Sequence, residues 1–230
     1  MIIYTNGDSH TAAGEAVNSY CFACDDPNLW YMGRAPHPDN IKVSYGAVLG
    51  RIVKAKFMTD AESASSNDRI IRTTKEFLSR PTNDQVIVVI GWSTWEREEW
   101  EHQGKTYQIN ACMGEDWPEE IKERYREWVT NIDMKKKLQE EHDKIWNFHL
   151  ELQERGIKHL FFNTFESLAG VEDEKDWGGS YLFPYNNDLT YYNWAISKGF
   201  STVNVNSYHF GKHVHYAWAH HLLPYLTEFL

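Results

Sequence analysis

Residues 2–11 read IIYTNGDSHT. The first four are β-branched or aromatic residues, which favour a buried strand, and the Asn-Gly-Asp that follows favours a turn. The turn presents Ser9 at the carboxyl end of this strand. In an open α/β sheet, that edge is where ligands bind and chemistry takes place. The stretch therefore predicts a first parallel strand that ends in a functional site containing Ser9.

The composition is that of a globular chain with a large core. Its 230 residues can bury roughly 70–75% of the unfolded surface, and no linker or repeat divides them, so we predict a single domain over residues 1–230. A net charge of −10 without a dense basic stripe argues against nucleic acid as a partner. No apolar run reaches about 18 residues, and no secretory leader precedes the first strand. We therefore predict no membrane partner and a cytoplasmic location, and the oligomeric state is left open.

Cysteine and histidine residues form two candidate metal sites, and neither is complete. Cys21 and Cys24 have C-x-x-C spacing, but no second ligand pair lies at a suitable spacing. Five histidines lie between positions 209 and 221 without a carboxylate among them. We predict inert cysteines, a histidine-rich helix, no metal and no cofactor.

Strand and helix patterns alternate along the chain. Apolar runs predict buried strands over 2–5, 85–90 and 157–162, a weaker strand over 201–205 and a fifth candidate over 41–45. Helical patterns cover 12–21, 68–78, 188–198 and the charged region 116–155, in which we expect a break near 130–133. The alternation predicts the α/β class, with a three-layer α/β/α sandwich around a mostly parallel, flavodoxin-like sheet.

Four polar blocks follow the predicted strands or lead into a helix. They read GDS at 7–9, ASSNDRI at 64–70, GWST at 91–94 and NSYH at 206–209. In order and spacing these blocks resemble those of the SGNH (GDS-type) hydrolase superfamily, and the resemblance covers nearly the whole chain. It implies an SGNH hydrolase-like fold and a serine-dependent esterase or deacylase that acts through an acyl-enzyme on a small-molecule or glycan ester.

The resemblance assigns the catalytic roles to the first and last blocks. Ser9 matches the nucleophile and His209 the base, while Asn206 stands where the family has an acid. The serine needs an imidazole within ~2.6–3.2 Å to take its proton, and an acid normally orients that imidazole. Three alternatives follow: a backbone carbonyl orients His209, another acid such as Asp176 or Asp188 does so, or the site is not a hydrolase.

A tetrahedral oxyanion needs two or three preorganised donors. The N–H of Ser9 is one. The second block lacks the glycine whose N–H the family uses, so Ala64 or Ser65 is the nearest counterpart. The third block has Ser93 where the family has an oxyanion-binding Asn, which leaves the Ser93 hydroxyl or the Asn67 amide as the third donor.

Other residues near the blocks are candidates for substrate binding. Asp8, His10 and Gly91 flank the predicted nucleophile and oxyanion site. Trp92 and Trp95 follow a strand end, where they are placed to line a cleft for a sugar or an aromatic ligand.

The segment 95–117 is long, contains turn residues and follows the third block. Long connections of this kind are often functional. We therefore predict a flap over the site.

Two further functions stay open beside ester hydrolysis. The residues at Asn206, Ser93 and Ala64 depart from the family pattern, which fits a degenerate member that binds a ligand or a partner without hydrolysing it. Acyl transfer to another alcohol would use the same catalytic residues. The runs at 66–70 and 91–93 are similar to those of phage-encoded proteins of this type, which implies a viral origin and action in a host cytoplasm.

Overall fold

Five parallel strands form the central sheet of the computed structural model, which describes residues 1–18, 36–110 and 117–229. In chain order, the strands of these residues are β1 (Ile2–Gly7), β2 (Lys56–Thr59), β3 (Val86–Trp92), β4 (Glu98–His102), β5 (Lys105–Ile109), β6 (Lys158–Asn163) and β7 (Tyr181–Leu182). The sheet has the order β2-β1-β3-β6-β7, and β4 and β5 form a separate antiparallel hairpin. Counted within the sheet, this is the flavodoxin-like order 2-1-3-4-5, so the predicted sheet is confirmed.

Helices cover both faces of the sheet. In chain order they are α1 (Pro38–Ile41), α2 (Tyr45–Ile52), α3 (Asn67–Leu78), α4 (Glu119–Asn131), α5 (Met134–Glu154), α6 (Tyr191–Ser197) and α7 (Lys212–Leu226). One face packs on α2, α6 and α7 through a cluster that contains Leu49, Trp194 and Trp218. The opposite face packs on α3 and α5 through Ile70 and Phe148. The predicted three-layer α/β/α class is confirmed.

The strands predicted over 2–5, 85–90 and 157–162 are confirmed as β1, β3 and β6. Successive side chains of a strand point to opposite faces. Ile3 therefore enters the cluster on one face and Tyr4 the cluster on the other. Burial on both faces explains why these strands read as continuous apolar runs.

Two predicted strands are wrong. Residues 201–205 are largely exposed, and Val205 is 97% exposed. In the range 41–45, Ile41 is the last residue of α1 and Tyr45 is the first residue of α2. Ser44 caps the first turn of α2. Short apolar runs do not separate strands from other structure by pattern alone. Two strands were not predicted. The edge strand β2 is half-exposed and β7 has only two residues, so neither has a clear sequence signal.

The helix predicted over 12–21 does not form in its described part. Residues 12–18 form turns and bends instead. Ala13 and Glu15 have left-handed φ angles of 57° and 59°, which a helix does not allow.

The other predicted helices are confirmed. The helix expected over 68–78 is α3, and that over 188–198 is the shorter α6. The charged region 116–155 divides into α4 and α5 at the predicted break. There Asp133 caps α5 by accepting a hydrogen bond from Lys136 N at 3.0 Å.

The segment predicted as a flap, 95–117, is a packed hairpin in its described part. Trp100 and Ile109 pack against α4 in a third cluster. Gln108 Oε1 accepts a hydrogen bond from Ser66 N at 3.1 Å. These contacts tie the hairpin to the loop before α3, which contradicts a free flap.

Cys21, Cys24 and Cys112 lie outside the described residues. Within the ranges that are described, no helix is long and apolar enough to cross a membrane. No group of three or more His, Cys, Asp or Glu side chains in these ranges is arranged to hold a metal ion.

Candidate active site

The strand order places three of the predicted blocks side by side. β1 lies between β2 and β3, and Gly7 pairs with Gly91 in the register of β1 and β3. Ser9 and Ser93 are each two residues beyond this pair, so both leave the sheet at the same edge. On the other side of β1, Glu62 N donates to Gly7 O at 3.0 Å. This bond brings the second block against the first.

Two glycines allow β1 and β3 to approach closely at this edge. A Cβ on Gly7 would lie 2.1 Å from Thr11 Oγ1 and 2.5 Å from Gly91 O, and one on Gly91 would lie 2.7 Å from Thr164 Cγ2. Packing therefore requires glycine at both positions. Protein atoms surround Gly91, which contradicts its predicted contact with substrate.

Ser9 lies in a tight turn and is 7% exposed. Hydrogen bonds from Ala12 N to Asp8 O at 2.9 Å and from Gly14 N to Ser9 O at 2.8 Å hold this turn. No described residue forms a hydrogen bond with the Ser9 hydroxyl, so the expected bond to His209 is not formed. Catalytic hydrogen bonds are often long in free enzymes and tighten when substrate binds.

Glu15 is the acid that contacts the candidate base. Glu15 Oε2 lies 2.5 Å from His209 Nδ1 and accepts a hydrogen bond from Ser207 Oγ at 2.6 Å. Ser207 Oγ in turn accepts a hydrogen bond from His209 N at 2.9 Å. One serine thus positions both members of the pair.

The electrostatics of this pair suit a general base. Desolvation opposes ionisation of Glu15, but hydrogen bonds from Ser207 and His209 outweigh it and hold the pKa of Glu15 below its ordinary value. Burial and the neighbouring His10 lower the pKa of His209, and the opposing effect of Glu15 is smaller. The lowered pKa favours the neutral imidazole, which is the form that accepts a proton.

A left-handed backbone brings Glu15 to His209. Ala13 and Glu15 have φ angles of 57° and 59°, which cost roughly 1–2 kcal/mol each for residues with a Cβ. Strained positions of this kind cluster at functional sites. The turn that carries Ser9 reverses here and directs the Glu15 carboxylate back toward the base.

Three residues were predicted as possible partners of His209. All three are exposed: Asn206, Asp176 and Asp188. The predicted role of Asn206 is wrong, because Glu15 occupies the position beside His209 Nδ1. Sequence reasoning missed Glu15 because the two residues are 194 positions apart. A carboxylate shortly after the Gly-Asp-Ser turn is the only signal for it, and the helix predicted there concealed it.

Asp8 is a buried carboxylate that holds the site together. It is 1% exposed and accepts hydrogen bonds from His10 N and Thr164 Oγ1, each at 3.0 Å. Burial opposes its ionisation, but His10 and Arg97 outweigh it and hold the pKa of Asp8 far below its ordinary value. The predicted substrate contact of Asp8 is wrong because its side chain is enclosed. His10 stays at the site, with its ring centroid 5.4 Å from that of His209.

Two of the predicted oxyanion donors are engaged elsewhere. Ser65 N donates to Glu62 O at 3.2 Å. The Asn67 amide has two N–H donors, and it donates to Glu141 Oε2 at 3.2 Å and to Ser93 O at 3.5 Å. Neither group is available to an oxyanion, so the predictions for Ser65 and Asn67 are wrong.

Three predicted donors are available. In the part of the chain that the structure describes, the N–H groups of Ser9 and Ala64 have no acceptor. The Ser93 hydroxyl accepts a hydrogen bond from Arg97 Nη1 at 2.8 Å and keeps its own proton. Ala64 has a φ angle of 62°, in the left-handed region that favours glycine. The backbone conformation is thus glycine-like, although the residue is alanine.

Trp92 belongs to the core, so its predicted cleft role is wrong. It is 0% exposed, with its ring centroid 5.0 Å from that of Phe161 and 6.2 Å from that of Phe148. Strand alternation in β3 points it away from the site. Trp95 is partly buried and packs on the same cluster, and its contact with substrate stays a prediction.

A partly exposed aromatic surface, the aromatic ledge, adjoins the histidines and consists of Phe165, Tyr192 and Tyr208. The ring centroid of Phe165 lies 4.7 Å from that of Tyr192, 5.6 Å from that of Tyr208 and 6.1 Å from that of His10. Tyr208 is 63% exposed. Sequence reasoning missed the ledge because its rings come from three separate segments.

Comparison with known families identifies one match. The model described as a family of unknown function (DUF6071) matches residues 37–180, a range that contains Ala64, Ser93 and Arg97. No curated protein matches the chain.

Among solved structures, three similar folds are distant in sequence. One is a protein described as lipolytic and of the G-D-S-L family from Desulfitobacterium hafniense DCB-2, with 10% identity, a TM-score of 0.43 and coverage of 98% of this chain and 99% of that one. Another is an acetyl xylan esterase (Est2A) from the rumen bacterium Butyrivibrio proteoclasticus, with 10% identity, a TM-score of 0.48 and coverage of 99% and 63%. The third is a carbohydrate esterase described as having divergent catalytic and non-catalytic binding functions, with 12% identity, a TM-score of 0.46 and coverage of 99% and 64%. The chain thus spans less than two thirds of the last two.

Proposed function

The chain belongs to the DUF6071 family, a family of unknown function, and we propose that it is a serine-dependent ester hydrolase. Ser9 is the nucleophile, His209 the general base and Glu15 the acid that orients the base. The observation that carries the proposal is the 2.5 Å contact between Glu15 Oε2 and His209 Nδ1. It supplies the acid that the last block lacks, from the same turn as the nucleophile.

The reaction proceeds in two steps through an acyl-enzyme. Ser9 Oγ gives its proton to His209 Nε2 and attacks the ester carbonyl carbon, and the tetrahedral intermediate then breaks its bond to the alcohol oxygen, which takes the proton from His209. Water attacks the acyl-enzyme by the same route and releases the carboxylic acid and free Ser9. The N–H groups of Ser9 and Ala64 and the Ser93 hydroxyl stabilise the oxyanion in both steps.

Glu15 contributes through the base rather than through the substrate. Its carboxylate accepts the Nδ1–H of His209, which fixes the tautomer in which Nε2 is the atom that takes the serine proton. The same carboxylate stabilises the imidazolium that forms when the proton is transferred.

The aromatic ledge supports a neutral glycan ester as substrate. Exposed rings beside a reactive site bind the apolar face of a ring-containing alcohol. Glu166 follows Phe165 of the ledge and lies against Glu96. Two carboxyl groups that share one proton keep one negative charge, which disfavours anionic substrates at this edge.

The proposal is tested by labelling Ser9 with a fluorophosphonate probe and by hydrolysis of a short-chain aryl ester and an acetylated saccharide. We expect wild-type protein to be labelled at Ser9 and to hydrolyse the esters. Ser9→Ala and His209→Ala abolish both signals, and Ser79→Ala, which changes an exposed serine remote from the site, leaves them unchanged. Equal rates in wild type and Ser9→Ala, with both proteins folded, would refute the proposal.

The second candidate function is ligand binding without catalysis. The unformed bond between Ser9 and His209 favours it. A wild-type protein that binds an acetylated saccharide in calorimetry but never labels at Ser9 would establish this alternative. An acyltransferase would label at Ser9 and move the acyl group to an added alcohol faster than to water. The single domain, the cytoplasmic location and the viral origin stay predictions.

A further inference from the structure

Arg97 is a cation at the candidate active site with no role in the steps above. It is 22% exposed, and its Nη1 lies 3.6 Å from Asp8 Oδ2. The same Nη1 donates a hydrogen bond to Ser93 Oγ at 2.8 Å. The guanidinium therefore lies between the loop that follows β1 and the loop that follows β3.

The contact with Arg97 determines how the Ser93 hydroxyl bonds. A guanidinium has donors and no acceptor, so Ser93 Oγ is the acceptor and its own proton points elsewhere. No described residue offers an acceptor for that proton. The hydroxyl is therefore an unused donor, held in place by a cation.

Ser93 itself is fixed by a buried network. Ser93 N donates to Asn67 Oδ1 at 3.0 Å, and the Asn67 amide donates to Glu141 Oε2 at 3.2 Å. Glu141 is 0% exposed and pairs with Lys137 at 2.9 Å. A donor held this firmly needs no reorganisation when charge develops in the transition state.

The position of Arg97 is coupled to the nucleophile. Its counter-ion, Asp8, is 1% exposed and immediately precedes Ser9. Ser9 and Ser93 both lie two residues beyond the paired Gly7 and Gly91. The cation, the unused donor and the nucleophile thus share one edge of the sheet.

We propose that Arg97 is a positioning residue of the oxyanion site. It orients the Ser93 hydroxyl as a donor toward the oxyanion of the tetrahedral intermediate, in which the substrate is bonded to Ser9. The charge of Arg97 strengthens that donor. The Ser93 hydroxyl, bound by Arg97, thus replaces the oxyanion-binding amide that an Asn would supply at this position. This inference rests on the proposed ester hydrolysis and adds a residue that acts on the transition state.

The test measures the second-order rate of fluorophosphonate labelling of Ser9, which needs the oxyanion donors and no knowledge of the natural substrate. Loss of one oxyanion donor costs roughly 10²–10³-fold in a protease where it was measured. We expect Ser93→Ala to slow labelling by about 10²-fold and Arg97→Met by about 10- to 10²-fold on the same scale. Arg97→Lys keeps a cationic donor and restores most of the rate. On an aryl acetate, the loss in Arg97→Met appears in kcat and not in KM.

The double variant Ser93→Ala/Arg97→Met separates positioning from other roles. If Arg97 acts through Ser93, the double variant is no slower than Ser93→Ala. A further loss of the same size in the Ser93→Ala background would overturn the inference, and so would wild-type labelling rates in Arg97→Met. Absence of labelling in wild type would instead refute the proposed function and the inference with it.

Arg97→Met leaves the buried Asp8 with His10 as its remaining charged partner, so the variant carries a risk of a folding defect. Circular dichroism and thermal melting report this defect directly. If Arg97→Met does not fold, Asp8→Asn/Arg97→Met is compared with Asp8→Asn alone, since both lack the buried anion. The same 10- to 10²-fold difference between these two proteins is expected, and equal labelling rates would overturn the inference.

Discussion

The two halves of the candidate active site are held in place by different means. The nucleophile half, formed by the loops that follow β1 and β3, is positioned by strand register and buried ion pairs, with Asp8 1% and Glu141 0% exposed. The base half consists of the turn around Glu15 and the loop around His209, and these two side chains are 20% and 16% exposed. Left-handed backbone angles and a few hydrogen bonds position this half.

This difference explains which contacts are formed. Each half is held by hydrogen bonds of its own, whereas the one between Ser9 and His209 is not formed. Segments with few buried contacts open and shift at low cost. We therefore infer that the largely exposed loop around His209 moves to close the hydrogen bond to Ser9.

A substitution of Glu15 in the base half has the largest expected effect, which is on the rate of Ser9 labelling. Glu15→Gln keeps the shape of the side chain but cannot stabilise an imidazolium, and an acid-to-amide change of this kind costs roughly 10⁴-fold in a serine protease. We expect the labelling rate of Ser9 to fall by about 10²- to 10⁴-fold on that scale, with little change in melting temperature. Asn206→Ala is the control and leaves the rate unchanged. Equal losses in the two variants would contradict the role of Glu15.

Breaking the nucleophile half at Glu141 has its largest effect on stability. Glu141→Gln removes the buried carboxylate that Lys137 and Lys144 share, while Lys137 keeps Glu98 and Lys144 keeps Asp68 as partners. A change that leaves a buried charge unpaired typically costs about 3–5 kcal/mol. Because both lysines keep a partner, we expect a smaller loss of about 1–3 kcal/mol in urea denaturation. Glu140→Gln changes the adjacent residue, whose side chain is 56% exposed, and should leave stability nearly unchanged; similar unfolding midpoints for both variants would count against a rigid nucleophile half.

A pair of carboxyl groups makes stability depend on pH at the edge of the nucleophile half. The Oε2 atoms of Glu96 and Glu166 are buried and lack hydrogen-bond partners among the described residues. One shared proton would satisfy both. Burial and the charge of Glu96 raise the pKa of Glu166 from 4.5 to about 7.

The raised pKa fixes the sign of this dependence. The folded state binds the proton more tightly than the unfolded chain, so the stabilisation is complete below pH 4.5 and is lost as the pH rises through about 7. We expect Glu166→Gln to melt above wild type at about pH 8, with the gap closing at about pH 5. Glu154→Gln, at an exposed position, is the control. A gap of equal size at both pH values would be inconsistent with a shared proton.

The smallest expected effect concerns the backbone at Ala64. Ala64→Gly removes the cost of a left-handed alanine, about 1–2 kcal/mol, against an entropic cost of about 0.4–1 kcal/mol for a new glycine. We expect the free energy of unfolding to change by between zero and a gain of about 1.6 kcal/mol from these terms, with labelling of Ser9 retained. Ala61→Gly, at a buried alanine without a positive φ angle, should destabilise. A larger loss in Ala64→Gly than in Ala61→Gly would show that Ala64 is not strained.

Much of the nucleophile half was predictable, because local patterns encode it. The apolar runs of β1 and β3 place Ser9 and Ser93 at strand ends, and parallel pairing brings those ends together. Nothing local shows that Trp92, the last residue of β3, enters the core rather than a cleft. That outcome depends on which face of the sheet each residue meets.

The base half was only partly predictable. His209 was identified from its block, but its acid was sought at Asn206 and in later loops. Glu15 reaches His209 through a turn that propensity rules read as a helix, because left-handed angles at residues other than glycine have no sequence signal.

By itself, the sequence determined the α/β class with a flavodoxin-like sheet, the strands β1, β3 and β6, and the positions of Ser9 and His209 after predicted strands. These depend on periodic burial and on turn residues, which act over a few neighbours. Only the tertiary structure decided that Glu15 contacts His209 and that Ser65 and Asn67 are engaged elsewhere. It also decided that Ser93 is bound by Arg97. Donors and acceptors are assigned by contacts such as that between Glu15 and His209, 194 positions apart, and no local pattern carries that information.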